Sequence, residues 1–276
     1  MKLSPEQLAS GKLNEETLAE AVMQLNLNGF VVFEKAIPDD LVDAMNERFL
    51  QILEKNLKEN PEATELNMHT FRTNRIRMDL PFEAPFIDPR VINSDFVVPI
   101  VQQILGEDCR SFYLSVDAPM KGSQYQAVHG DYFPFFPEST QTMPPVSLVF
   151  NVALVDVTEE NGPMDAWPGT HRSPEYMFKE LGALEAAAKH IQPTKMIMPK
   201  GSIILRDVRM WHRGTPSYSE QIRPNLAIIY ARSWYDGGGY AQNTLNITRE
   251  VYEALPERAK KLYRFEKLVE QETASV

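Results

Sequence analysis

At 276 residues, with 43% hydrophobic and 24% charged side chains, the chain has an ordinary globular composition and enough apolar material for a sizeable core, which excludes a disordered protein. Its net charge of −10, with Lys and Arg scattered singly or in small mixed groups, leaves no basic stripe for nucleic acid. One cysteine, Cys109, excludes an intrachain disulfide and Cys-rich zinc modules and fits a reducing compartment.

The start, Met1-Lys2-Leu3-Ser4-Pro5-Glu6, has no signal-peptide core, no run of 18 apolar residues occurs, and Ala274-Ser275-Val276 matches no retention or peroxisomal signal. The expectation is a soluble cytoplasmic protein, monomer or homodimer, without a membrane or nucleic-acid partner. Ser4-Pro5-Glu6-Gln7 reads as a capping box opening a short helix that stops near Gly11. A second helix from Asn14 carries Leu18, Ala21, Val22 and Leu25 on one face and ends at Gly29. Phe30 to Phe33 reads as a buried strand. Pro38-Asp39-Asp40 opens a longer helix that keeps Leu41, Met45, Phe49, Ile52 and Leu53 at helical spacing until about Asn60.

Residues 61 to 93, with Pro61, Pro81, Pro85 and Pro89, read as irregular, and their basic trio Arg72, Arg75 and Arg77 as solvated loop charges rather than contacts to an anionic substrate such as a CoA thioester. A helix is expected around Phe96 to Leu105. From Cys109 to Trp234 the texture changes to short β-rich runs: Ser111 to Val116, Val146 to Leu154, Lys195 to Met198, Ser202 to Leu205 and Leu226 to Ala231. Their spacing argues for a barrel or jelly roll rather than βαβ units, interrupted by a helical insert from about Pro174 to His190. The tail returns to helix from Thr248. With no repeat or linker, the reading is one domain: a mainly helical flank at 1–108, a mainly β jelly-roll core at 109–235, and a helical tail at 236–276.

The chemistry concentrates in Gln126-Ala127-Val128-His129-Gly130-Asp131. An imidazole and a carboxylate two residues apart can face one cation if the chain turns between them, and Gly130 permits a turn at little steric cost. With His212, in Trp211-His212-Arg213-Gly214-Thr215-Pro216, they would form the two-His, one-carboxylate triad that leaves open positions on a non-haem Fe(II). Asp131 could instead cap a turn. Eleven residues after His212, Arg223 stands just before a β-rich run, where its guanidinium could hold a carboxylate by two parallel hydrogen bonds. Arg206 and Asp207 could pair with each other or orient a neighbouring ligand. His171, at the end of a Pro-Gly turn, reads as structural, and His69 and His190 carry no assignment.

These segments resemble the phytanoyl-CoA dioxygenase family of Fe(II)- and 2-oxoglutarate-dependent oxygenases. The resemblance spans about residues 20 to 235. It is carried by Gln126 to Asp131, by Asn161-Gly162-Pro163-Met164 with Pro168-Gly169-Thr170-His171, by Gly201 to Asp207 and by Trp211 to Arg223; Asn28-Gly29-Phe30-Val31-Val32 looks like the family's opening strand. It implies a double-stranded β-helix of the cupin-like jelly-roll kind with flanking N- and C-terminal helices. His129, Asp131 and His212 would ligate iron, Arg223 would bind the distal carboxylate of 2-oxoglutarate, and Gln126 would touch the keto-acid end. Met164 stands where some relatives have a hydrogen-bonding Thr, which puts a cosubstrate contact there in doubt. Tyr132, Phe133, Phe135, Phe136, Met164, Trp234 and Tyr235 are candidates for a substrate wall.

The implied reaction consumes O2 and 2-oxoglutarate, releases succinate and CO2, and most simply hydroxylates an unactivated C–H; ascorbate would be at most stimulatory. Desaturation, ring formation and ketone formation remain open, as does an acyl-CoA substrate, although the run Arg206 to Gly214 looks more like enzymes that tailor specialised metabolites. A cupin-like binding protein without turnover and a zinc hydrolase on the same three ligands are the readings from other classes; the latter leaves Arg223 without a role.

Overall fold

The computed structural model describes residues 1–60, 73–236 and 245–270. His69, Arg72 and Pro61 lie outside the described residues. Helix α1 (Pro5–Ser10) opens on the expected box, Ser4 Oγ accepting from the Gln7 amide and Gln7 Oε1 from the Ser4 amide. Asn14 caps α2 (Glu15–Asn28) and a left-handed Gly29 stops it. Strand β1 (Phe30–Phe33) follows, then α3 (Asp39–Glu59), which buries Leu41, Met45, Phe49 and Leu53.

The stretch expected to be irregular contains β2 (Arg75–Asp79) and α4 (Pro89–Ile92). The correction has a local cause. Arg75-Ile76-Arg77-Met78 alternates charged and apolar residues, a strand pattern, and Pro89 sits at the first helical position, where its missing N–H costs nothing.

Next come α5 (Val98–Leu105), β3 (Arg110–Pro119), β4 (Ser147–Ala153) and β5 (Met164–Ala166). A 3₁₀ turn at Thr170–Arg172 follows, and the expected helical insert from about Pro174 to His190 is a second 3₁₀ turn, Glu175–Phe178, and α6 (Leu181–Ala188). Strands β6 (Thr194–Lys195), β7 (Ile203–Asp207), β8 (His212–Gly214) and β9 (Asn225–Ala231) follow. The tail holds β10 (Asn246–Thr248), α7 (Arg249–Ala254), α8 (Glu257–Leu262) and β11 (Lys267–Val269), so the stretch expected to be helical also contributes a parallel strand pair.

The result is a mixed α/β architecture with antiparallel sheets. The larger sheet runs β1-β7-β4-β9-β3-β2, and the smaller runs β6-β5-β8. Both edges of the larger sheet, β1 and β2, come from the N-terminal third. Because side chains alternate along a strand, its two faces differ in kind. Leu148, Phe150 and Val152 of β4, with Leu205 of β7 and Ile228 of β9, join the main core that includes Leu25 of α2, Phe49 of α3 and Val101 of α5. The opposite face turns Val149, Asn151, Ala227 and Ile229 towards a cleft, and that face carries the site. No described helix is long and apolar enough to cross a membrane.

Candidate metal centre

His129 and His212 are held opposite each other by their own backbones. The His129 amide donates to the His212 carbonyl at 3.0 Å and the His212 amide to the His129 carbonyl at 2.9 Å. Farther along the same pairing, the Gln126 amide donates to the Gly214 carbonyl and the Gly214 amide to Gln126 Oε1. The segment 126–131 therefore lies against β8, whose other side pairs with β5. Asp131 is pinned by its amide, which donates to Val208 O at 2.7 Å.

Gly130 serves this turn otherwise than its flexibility suggests. It is not among the glycines with positive φ. Its value is space: a Cβ there would lie 3.0 Å from the Phe178 ring and 3.2 Å from Val208 O.

Three side chains converge. One ligand atom from each of His129, Asp131 and His212 lies within 4.8 Å of the others, a group able to hold a metal ion. His212 Nε2 stands 3.4 Å from Asp131 Oδ2, and His129 Nε2 stands 3.8 Å from Asp131 Oδ1. Metal–ligand bonds of about 2.1 Å at right angles span edges of about 3 Å, so small side-chain movements would close the triad on an ion. The donor chemistry agrees. Nδ1 of His129 faces Ala127 O at 2.8 Å and Nδ1 of His212 faces Met210 O at 2.9 Å, so each Nδ1 carries the proton and each Nε2 keeps its lone pair. Burial and the neighbouring Arg206 push His212 down to about 3, so it is neutral, the ligating form. Burial would raise the Asp131 carboxyl, but Arg206, His212 and His129 outweigh it and hold the group well below the usual carboxylate range.

Arg206, on β7, donates from Nη2 to Asp131 Oδ2 at 2.6 Å. The pairing of Arg206 with Asp207 is not formed: Asp207 takes both its oxygens to Arg209, whose Nε and Nη2 donate at 2.9 and 2.6 Å. Adjacent residues of a strand face opposite ways, which forbids the first pairing and leaves Arg206 on the cleft side.

The cleft encloses about 710 Å³ including its open mouth, and the triad, Gln126, Met164 and Arg223 all line it. Arg223 is buried; its Nη2 donates to Gly162 O at 2.7 Å and its Nε to Asn161 O at 3.4 Å. Asn161 in turn secures that loop, its Oδ1 accepting from the Thr158 amide and its Nδ2 donating to Asp156 O. Burial, with Arg75 close by, pulls Arg223 down to about 10, still protonated at neutral pH.

Other lining residues escaped the sequence reading. Arg75 is buried rather than solvated, donating from Nη1 to Asp117 and from Nη2 to Thr215 O. Its guanidinium lies so close to Gly214 that any Cβ there would overlap it. Arg77 bonds the Tyr113 hydroxyl at the same wall, and Asn151 donates to Leu226 O. The period-two alternation of residues 75–78 was the available signal.

The substrate-wall candidates separate. Met164 lines the cleft. Tyr132 is buried, its hydroxyl donating to Glu175, while Phe133, Phe135, Phe136 and Trp234 are exposed and Tyr235 is buried; none of the six is among the lining residues. Phe135 nevertheless packs against Tyr132, Trp234 and Tyr235, with ring centroids 5.7–6.1 Å apart. His171 is buried between elements, its ring nitrogen against Asn26 O, in keeping with a structural role.

The architecture is shared with solved enzymes. The carbocyclase SnoK of nogalamycin biosynthesis, described as non-haem and α-ketoglutarate dependent, superposes with a TM-score of 0.59 at 17% identity, covering 83% of this chain and 90% of that one. The epimerase SnoN of the same biosynthesis, solved with Fe3+, α-ketoglutarate and nogalamycin RO, gives 0.58 at 17% identity, covering 80% and 85%. In sequence, the dioxygenase olcK of Penicillium canescens is 23% identical over 237 residues, 82% of this chain and 75% of that protein. Residues 25–225 match the family model of phytanoyl-CoA dioxygenase (PhyH). By class the protein is thus an enzyme of the 2-oxoglutarate-dependent dioxygenase kind, an oxidoreductase with a candidate His-x-Asp…His iron site. It belongs to the phytanoyl-CoA dioxygenase family.

Proposed function

We propose that this chain is an Fe(II)- and 2-oxoglutarate-dependent dioxygenase that oxidises, most simply hydroxylates, an unactivated C–H of a small specialised metabolite, releasing succinate and CO2. The observation that carries the reading is the sharing of one cleft by the triad, Gln126 and the buried Arg223. In this reading residues 1–276 form one oxygenase domain, with the two antiparallel sheets as opposite walls of a double-stranded β-helix. The nogalamycin enzymes and the fungal dioxygenase support the choice of a specialised metabolite over a fatty acyl-CoA.

His129, Asp131 and His212 would hold Fe(II) through two Nε2 atoms and a carboxylate oxygen. Iron with bound 2-oxoglutarate supplies the power to activate O2. The chain's own tasks are to hold and to exclude. Arg223, with Arg75 beside it, takes the C5 carboxylate in a buried position where a planar fork outperforms an ammonium. Gln126 stands by the keto-acid end. Burial of Arg223 and His212 keeps water from both ends of the cosubstrate. Met164 borders the cleft and is the substrate-wall candidate that remains there; Tyr132, Phe135 and Trp234 pack together outside its lining. A zinc hydrolase would need no such guanidinium.

The test is anaerobic titration of the Fe(II)-loaded protein with 2-oxoglutarate, followed by the visible absorption of the chelate. Wild type binds. Arg223→Ala leaves Fe(II) binding nearly intact but lowers 2-oxoglutarate affinity roughly a hundredfold or more, the size of about 3 to 5 kcal/mol for stranding one member of a buried charge pair. Arg223→Lys recovers part of it. Equal 2-oxoglutarate affinity in wild type and Arg223→Ala would refute the assignment.

A further inference from the structure

Arg206 carries more donors than its one partner uses. The alternation of β7 turns Ile203 and Leu205 into the main core and puts Ile204 and Arg206 on the other face, where Ile204 packs in an apolar cluster with Ala166 and Met210 and Arg206 lines the cleft. Strand β7 lies inside the sheet between β1 and β4, with Phe30 and Val149 directly opposite Arg206, so its backbone is fixed on both sides. The side chain is 8% exposed. Nη2 is engaged by Asp131, whereas Nε and Nη1 are buried and have no hydrogen-bond partner among the described residues. A guanidinium offers five N–H donors, and each buried group left unsatisfied costs about 1–3 kcal/mol. A ligand that accepts at those nitrogens removes the cost.

The charge of the cleft points to the sign of that ligand. Among its described lining residues, Arg75, Arg77, Arg206 and Arg223 face only two carboxylates, Asp117 and Asp131. Arg75 bonds Asp117 and Arg206 bonds Asp131, while Arg223 has only neutral carbonyls as hydrogen-bond partners. The two charges of a divalent metal and the two of a dicarboxylate cosubstrate cancel, so that positive excess persists in the assembled site. That excess favours anionic groups in the cleft, whether of the cosubstrate or of the organic substrate, within reach of the metal ligands.

We propose that Arg206 recognises a carboxylate beside the metal triad through one of its two planar forks, the unpartnered Nη1 or the unpartnered Nε together with one N–H of Nη2, while the other Nη2 N–H keeps hold of Asp131. The carboxylate has two possible sources, the C1 end of 2-oxoglutarate or an acid group on the organic substrate. Planar two-donor contact is what guanidinium provides and an ammonium does not. The proposal rests on the cofactor reading above and extends it to a second anion-recognising arginine, at the end of the cleft that holds the metal. If the substrate is the source, its chemical class is a carboxylic acid.

The experiment uses the full chain loaded anaerobically with Fe(II), as wild type, Arg206→Met and Arg206→Lys. Fe(II) affinity is measured first, to separate effects on Asp131. Dissociation constants follow for 2-oxoglutarate, for 2-oxovalerate, which lacks the C5 carboxylate, and for 3-phenylpropionate added to the 2-oxoglutarate complex. If C1 is the source, Arg206→Met weakens both keto acids alike, by about thirtyfold or more, as expected for truncating one partner of a buried charge pair. If the substrate is the source, both keto acids keep their affinity and 3-phenylpropionate binding is lost. Arg206→Lys falls between in either case. Should Arg206→Met fail to fold, Arg206→Lys alone decides, since unchanged affinities there remove the need for a fork. A variant that changes Fe(II) affinity while all three acids bind as in wild type, or a wild type on which 3-phenylpropionate adds nothing and the keto acids are insensitive to Arg206, overturns the proposal. A wild type that binds Fe(II) but no 2-oxoglutarate overturns instead the cofactor reading beneath it.

Discussion

Asp131 has two claimants. Its Oδ2 accepts from Arg206, and its two oxygens face the two imidazole Nε2 atoms at 3.4 and 3.8 Å, so one carboxylate must serve a guanidinium and a metal together. Replacing it by Ala removes one of three candidate ligands and strands the Arg206 charge next to the site. Because losing a mere outer partner of a ligand costs about 10–100-fold in metal affinity, Asp131→Ala should weaken Mn(II) or Fe(II) binding by more than about a hundredfold in equilibrium dialysis. Metal affinity close to wild type in that variant would remove Asp131 from the centre. The sequence exposed this residue because His129 and Asp131 are neighbours on one short segment. For Arg206, 75 positions away from Asp131, it left two readings open, a pair with Asp207 or a contact that orients a neighbouring ligand, and the bond to Asp131 is the second. Sequence adjacency suggested a pair between Arg206 and Asp207 that strand geometry rules out.

Elements with strong local signals were readable and those with weak ones were not. Ser4, Asn14 and Gly29 cap or stop their helices through hydrogen bonds to residues a few positions away, so their sequence is sufficient. Strands β5, β8, β10 and β11 are three residues each, too short to show a period, and exist because a partner strand is present. Such dependence on distant partners also governs the segment after Asp131. Its aromatic residues are tied down by Glu175 of the 3₁₀ turn, which accepts from the Tyr132 hydroxyl and from the Phe135 and Phe136 amides. Glu175 is 1% exposed, so this is a buried anion with three donors, and Tyr132 is held well above the usual phenol range by burial and by that carboxylate. Glu175→Gln keeps the shape but exchanges a carboxylate for a neutral amide, so its oxygen accepts from the two N–H groups without charge assistance and its NH2 takes the place of Oε1 beside the Tyr132 hydroxyl. It should cost about 1–3 kcal/mol in urea denaturation and speed exchange of the Phe135 and Phe136 amides. Unchanged exchange at those amides would show that the aromatic cluster is held by its ring contacts instead.

On the scale of the whole molecule, a chain of net charge −10 surrounds a cleft in which cations outnumber anions, and composition alone could not reveal that inversion. The inversion bears on stability through His212, an imidazole buried neutral beside the Arg206 guanidinium of the cleft. In the metal-free protein His212 titrates at about 3, against 6.5 for an unburied histidine. Between those values the unfolded chain takes up a proton that the folded one refuses, so this group's effect is absent above 6.5 and becomes destabilising as pH falls towards 3. The slope approaches about 1.4 kcal/mol per pH unit for one proton. Asp131 acts in the same direction lower down: its folded form stays ionised below 3.8, where the unfolded carboxyl protonates, and stability falls further. Urea denaturation of the chelator-treated protein at pH 7, 6, 5 and 4 should therefore show a loss that steepens below pH 6. In His212→Asn that slope should be shallower by about one proton. Parallel pH profiles for wild type and His212→Asn would mean that His212 is not kept neutral by its burial. Metal bound at the same nitrogen adds a second dependence of known sign, because an ion that binds only the folded state raises its stability in proportion to RT ln(1 + [M]/Kd), and His212→Asn should lose this increment at pH 7 as well.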